Sequence, residues 1–175
     1  HLQETALYHI LKRHGAADNA FDDCINGYNI PYIEALLKEG LRYYSVLPTS
    51  LPRQTTKDII FRNSLIPKGT IMFMNTFAAN HDMKYYDRPF EFLPERFLDE
   101  NDNLKTSVET STMLSFGIGS RMCAGAHLAM KEMYISLVRM ILLYEIGPPD
   151  ETQYLMELDP FKLNSVPDSV AFEPY

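Results

Sequence analysis

A chain of 175 residues with 46% hydrophobic and 12% aromatic side chains has enough apolar material for one ordinary domain with a true core, which excludes a disordered segment. Its net charge is −7 and it has no basic cluster, so it lacks the electrostatic footprint of a nucleic-acid binder and has little attraction for an anionic membrane surface. The longest apolar runs, "TIMFMN" and "MYISLVRMILLYEI", fall short of the roughly 20 residues that cross a bilayer, and two cysteines, Cys24 and Cys123, are too few for a disulfide framework, so a reducing, intracellular setting is expected.

Residues 1 to 14 place Leu2, Ala6, Leu7, Ile10 and Leu11 on one face, and Gly15 supplies the stop: an amphipathic helix is predicted. The chain opens inside this helix without Met, which reads as a piece of a larger protein. A polar linker is expected to about Asn29. A second helix opens at Pro31, whose fixed φ suits a first helical position, and runs to Tyr44 with Gly40 as a weak point in its interior. From Leu47 to Phe77 the texture changes to short runs, "RQTTKDIIF" and "TIMFMN", around a turn at Pro67 to Gly69, and a small antiparallel sheet is predicted. Residues 78 to 115 carry Pro89, Pro94 and the polar stretch "DENDNLKTSVETST"; this segment is expected to be irregular and to wrap the fold. A helix over residues 124 to about 145 follows, apolar on nearly every side in its second half and therefore expected to be buried. The tail, punctuated by Pro148, Pro149, Pro160 and Pro167, leaves room for short strands or turns. No internal repeat or domain boundary is visible.

The chemistry concentrates in "FGIGSRMCAG", residues Phe116 to Gly125. A free cysteine is most often a small buried hydrophobe. Here Gly117, Gly119 and Gly125 permit backbone conformations and close approaches that a Cβ forbids, and Cys123 lies at the start of a helix, where free N–H groups and the dipole favour an anion. A thiolate is either a nucleophile or a metal ligand. His1, His9, His14, His81 and His127 form no triad-like signature with Cys123, which weakens the nucleophile. A zinc knuckle would need a closely spaced second cysteine, and covalent haem attachment would need C-x-x-C-H; both are absent. Cys123 and His127 stand one turn apart and offer half a metal site, against the plainer reading of a surface histidine. One thiolate with Arg121 two residues before it best fits an iron porphyrin bound on one face, the arginine meeting a propionate.

Phe116-x-x-Gly119-x-Arg121-x-Cys123-x-Gly125 resembles the haem-binding loop of the cytochrome P-450 monooxygenases. Two further motifs of that family stand upstream in the same order: "EGLR", with Glu39 and Arg42 as its E-x-x-R, and "PERF", with Arg96. Alone, Glu39 and Arg42 are an i,i+3 pair of the usual solvated kind. With Arg96 they are similar to the buried Glu-Arg-Arg network of the family. Arg53, in "LPRQTTKD", matches a family position that commonly holds the other propionate, and "CAGAHLAMKEMYISLVRMI" resembles the helix behind the haem. Gly40 stands where many relatives have Thr.

The resemblance implies a mainly α fold with a small antiparallel β-sheet, residues 1–175 being the C-terminal haem-binding portion of one larger cytochrome P-450 domain. It implies haem b (iron protoporphyrin IX), with Cys123 as axial ligand and catalytic group, Arg121 and Arg53 on the propionates, and Phe116, Gly117 and Gly125 around the sulfur. The implied reaction inserts one oxygen atom from O2 into a small organic substrate with electrons from an NADPH-dependent reductase; "SRMCAGAHLA" resembles fungal phenylacetate hydroxylases. Two alternatives stand beside it: a haem-thiolate enzyme that rearranges peroxides without a reductase, and a truncated, non-catalytic chain. Lys131 and Arg139 are candidate docking charges for a redox partner, with simple solvated charges as the equal alternative. Attachment to the endoplasmic reticulum membrane would depend on an anchor upstream of His1.

Overall fold

A computed structural model describes residues 1–26, 30–105, 114–147 and 171–174. Among the described residues five α-helices form: α1 (Leu2–His14), α2 (Ala17–Asp23), α3 (Pro31–Tyr44), the short α4 (Thr76–Asn80) and α5 (Ala126–Leu143). Short strands accompany them: β1 (Arg53–Gln54), β2 (Ile59–Phe61), β3 (Ser64–Ile66), β4 (Ile71–Met72), β5 (Tyr144–Gly147) and β6 (Ala171–Pro174). The fold is mainly α with small antiparallel ribbons, as the resemblance implies.

α1 ends as its glycine dictates: Gly15 takes φ +74 and its N–H donates to the Leu11 carbonyl at 2.8 Å. Ala6 and Ile10 are buried on the predicted face, whereas Leu2 and Leu11 are exposed. The expected linker after Gly15 is corrected: it folds into α2 and a 3-10 turn, Cys24–Asn26, while residues 27–29 lie outside the described residues. Ala20, Phe21 and Cys24 share one side of this segment, and Ala20 and Cys24 are buried there. Asn and Asp residues dilute that apolar signal, yet burial of the one face outweighs their modest helix propensity.

α3 begins at Pro31 and buries Tyr32, Ile33, Ala35, Glu39 and Arg42. It stops at Ser45, in the left-handed region with φ 40, whose hydroxyl donates to the Arg42 carbonyl at 2.8 Å and accepts from Asn80 Nδ2 at 2.9 Å. The predicted sheet resolves into two nested ribbons. β1 pairs with β4 through Arg53↔Met72 and Gln54↔Ile71; inside that loop β2 pairs with β3 through Ile59↔Ile66 and Phe61↔Ser64. Arg62 and Asn63, both with positive φ, close the inner hairpin. The turn at Pro67 to Gly69 forms as expected, with Gly69 at φ +87 and Thr70 N–H donating to the Pro67 carbonyl.

α1, α2 and α3 all pack against α5. They meet a stripe of Ala126, Met130, Tyr134, Val138 and Ile141, spaced by three and four residues. The expectation that the apolar second half of α5 is buried is corrected at its end, where Leu143 is 44% exposed on the side away from that stripe. Ile10, Ile33, Tyr134 and Val138 are among the fully enclosed side chains, each contributing about 1.5–3 kcal/mol if aliphatic. The end of α5 passes into β5, which pairs with β6 from Tyr144↔Pro174 to Gly147↔Ala171. On β5's other edge the Gln3 amide of α1 donates to the Tyr144 carbonyl at 2.6 Å and accepts from Ile146 N–H at 2.9 Å. The prolines of the tail, residues 148–170, and the polar stretch at 106–113 lie outside the described residues.

Candidate haem site and its buried support

The irregular segment after α4 is held by one carboxylate. Glu39 has no exposed surface and accepts four hydrogen bonds: from Arg42 Nε at 2.7 Å, Arg42 Nη2 at 2.8 Å, Leu93 N–H at 2.7 Å and Arg96 Nε at 3.2 Å. The spacing of Glu39 and Arg42 puts both on one face of α3, and Arg96 arrives from a 3-10 turn, Pro94–Phe97, packed against that helix. Two guanidiniums against one carboxylate leave donors to place, and main-chain carbonyls take them. Arg42 donates to Asn80, Pro89 and Glu91, and Arg96 to Asp87, Arg88 and Glu91, at 2.6–3.2 Å. Burying charges is tolerable when each is paired and each donor satisfied. The consequence is that residues 80–97, which have little regular structure, are fixed to α3 by side chains. The solvated-pair reading of Glu39 and Arg42 therefore gives way to the buried network.

His81 lies inside the same wrap, 6% exposed and stacked between Phe77 and Phe90 at centroid distances of 4.2 and 5.1 Å. Its Nδ1 meets the Phe77 carbonyl at 2.9 Å, and its Nε2 is buried without a hydrogen-bond partner. Burial pushes its pKa below the ordinary 6.5; the nearby Arg42 adds to that, and the Phe77 carbonyl and Glu39 oppose it.

The cysteine loop is built differently. It runs from a 3-10 turn, Leu114–Phe116, through a second, Gly119–Arg121, to α5. Gly117 and Gly119 take φ +78 and +65, which L side chains rarely adopt. Main-chain bonds close the loop: Gly117 N–H to Leu114 at 2.9 Å, Met122 N–H to Gly119 at 3.1 Å and Cys123 N–H to Phe116 at 2.8 Å. The outcome for the two cysteines is opposite. Cys24 is buried in the core, and Cys123 is exposed, just ahead of the α5 N-terminus. Arg53 reaches the loop from β1, donating from Nη2 to the Arg121 carbonyl at 3.3 Å, so a hydrogen bond links the two arginines singled out from sequence. Gly125 leaves the space beside the sulfur bare: a Cβ there would stand 3.9 Å from Cys123 Sγ.

These residues fit a thiolate-bound anionic porphyrin: an exposed thiol, two arginines linked by a hydrogen bond, and glycines where a flat group must approach. No group of three or more His, Cys, Asp or Glu side chains that could hold a metal ion assembles among the described residues. Of the two docking candidates, Lys131 is exposed and Arg139 is half-buried. Its guanidinium lies over the Phe21 ring at 4.4 Å, with Nε buried and lacking a hydrogen-bond partner. Sequence reasoning missed that stack and the placement of His81, because neither pairing leaves a spacing to detect.

The cytochrome P450 family profile matches residues 21–172. The chain is 36% identical over 173 residues to phenylacetate 2-hydroxylase of Emericella nidulans, covering 99% of this chain and 32% of that protein. It is 39% identical over 143 residues to 3-hydroxyphenylacetate 6-hydroxylase of the same fungus, covering 82% and 26%. A third relative, cytochrome P450 monooxygenase CYP3 of Mycosarcoma maydis, is 37% identical over 154 residues, covering 85% and 27%. The chain thus spans about a third or less of the length of these relatives.

Proposed function

The chain belongs to the cytochrome P450 family, whose cofactor is protoporphyrin IX haem, and from that premise we propose that it is the C-terminal haem-binding portion of a haem-thiolate monooxygenase. The observation that carries the reading is the exposed Cys123 thiol on a loop shaped by left-handed glycines, with Arg53 and Arg121 joined beside it. The relatives' names favour hydroxylation of a small aromatic acid of the phenylacetate type; in this reading the electrons come from an NADPH-dependent reductase.

Bound at this loop, haem supplies reductive activation of O2 and transfer of one oxygen atom to substrate. The chain's own residues bind and tune. Cys123 would hold the iron through its sulfur and donate electron density to it. Arg53 and Arg121 would neutralise the propionates with charge-assisted hydrogen bonds, and Phe116 would shield the sulfur from water. Gly117 and Gly125 would let the backbone come close to the cofactor. Glu39, Arg42 and Arg96 touch no reacting atom in this reading; they hold the wrap against α3 so that the loop has a rigid floor.

The test is optical. The haem-loaded protein, reduced and exposed to carbon monoxide, shows the strongly red-shifted Soret band of a thiolate-ligated haem, and Cys123→Ala lacks it. An intact band in Cys123→Ala removes the assignment. Product formation from phenylacetate with NADPH and reductase, but not with a hydroperoxide alone, separates monooxygenation from peroxide rearrangement.

A further inference from the structure

We propose that Ser115 is a positioning residue for the cysteine loop, coupling the main chain that carries Cys123 to the helix that carries Glu39 and Arg42; the inference rests on the haem-thiolate reading above. Ser115 lies in the 3-10 turn at the head of the loop, and its half-buried hydroxyl donates to the carbonyl of Leu41 at 3.0 Å, across 74 residues of sequence. Leu41 belongs to the last turn of α3, where carbonyls have no later helical amide to serve them. Two serines meet this helix end in succession: Ser115 serves Leu41 and Ser45 serves Arg42.

The other side of Ser115 leads to the thiol. The carbonyl of Phe116, its neighbour, accepts the Cys123 N–H at 2.8 Å, and the Leu114 carbonyl accepts the Gly117 N–H at 2.9 Å, which keeps the turn closed. Leu41 carbonyl, Ser115 hydroxyl, Phe116 carbonyl and Cys123 amide therefore form a continuous bracket from α3 to the cysteine. Its fixed end is firmly held, since Arg42, next to Leu41, is 3% exposed and locked to Glu39. The loop's tie to β1, from Arg53 to the Arg121 carbonyl, is longer at 3.3 Å and exposed. A short side chain suits the part, because it fixes the bond with a single torsion and loses little freedom.

Thr and Val differ at this position by one hydroxyl, so Ser115→Thr and Ser115→Val form the decisive pair, with Ser115→Ala beside them. In the haem-loaded protein, the red-shifted Soret band of the reduced carbon monoxide complex is followed over time at fixed temperature, together with helix content by far-ultraviolet circular dichroism and the iron's reduction potential. Ser115→Val and Ser115→Ala lose the band roughly fivefold faster than wild type, the equivalent of about one neutral hydrogen bond, and shift the potential while helix content persists. Ser115→Thr keeps the wild-type rate and potential. A Val variant that matches Thr, or a band that decays only in step with loss of helix, overturns the inference and leaves the haem-thiolate reading standing. A wild-type protein with no red-shifted band overturns both.

Discussion

Glu39 and Cys123 answer opposite requirements with opposite means. Around Glu39 the protein hides charge and satisfies it with two arginine side chains, whose remaining donors go to main-chain carbonyls, and the result is a joint that fixes an otherwise irregular segment. Around Cys123 it leaves the side chain exposed and fixes the backbone with glycines and main-chain bonds. Side-chain networks suit a place that must not move, and a backbone cradle suits one whose side chain must stay free for a ligand. The pair predicts that damage at one end lowers stability and at the other removes chemistry.

The largest separation comes from Cys123→Ala: complete loss of the thiolate-type carbon monoxide band, with a denaturant midpoint close to wild type because the side chain is exposed. Glu39→Gln should do the reverse, lowering stability by about 3–5 kcal/mol through two guanidiniums left without a counter-charge, as read from the denaturant midpoint. A neutral Glu39→Gln would break the comparison outright. Gly117→Ala tests the cradle at about 1–2 kcal/mol. A Cβ there would make only ordinary contacts, 3.8 Å from the Arg121 carbonyl oxygen and Met122 Cα, so the cost is the left-handed φ of +78 rather than a clash. Gly40→Ala runs the other way: a Cβ meets nothing within 4 Å in the middle of α3, and a gain of about 0.5–1 kcal/mol is expected in thermal unfolding.

The smallest effect is a pH dependence at His81. Its folded pKa lies below the ordinary 6.5, so below that pH the unfolded chain binds a proton that the folded one refuses. Its contribution is full above pH 6.5 and is lost as pH falls toward the folded value. Denaturant midpoints measured across this range should fall less steeply in His81→Phe, which keeps the ring stack without the titration.

Much of this was legible in sequence, and unevenly so. Pro31 and Gly15 punctuate long amphipathic stretches, so α1 and α3 announce themselves. Glu39, Arg42, Arg96 and Cys123 sit in short motifs whose spacing survives folding unchanged. α2 was lost because Asn and Asp interrupt a seven-residue run, and the nested ribbons because two-residue strands carry no periodicity. Ser115 and Leu41, or Arg139 and Phe21, meet only after the helices pack; a pairing across dozens of residues leaves no mark in either neighbourhood.

Gln3 gives that point a kinetic form. Its amide imitates a peptide unit along the outer edge of β5, but the partners lie 141 and 143 residues downstream. During synthesis α1 must wait for more than 140 further residues to leave the ribosome before this contact can close, and closing so long a loop is slow. Pulse-labelling of nascent chains should find Gln3's neighbourhood protected only after β5 has emerged.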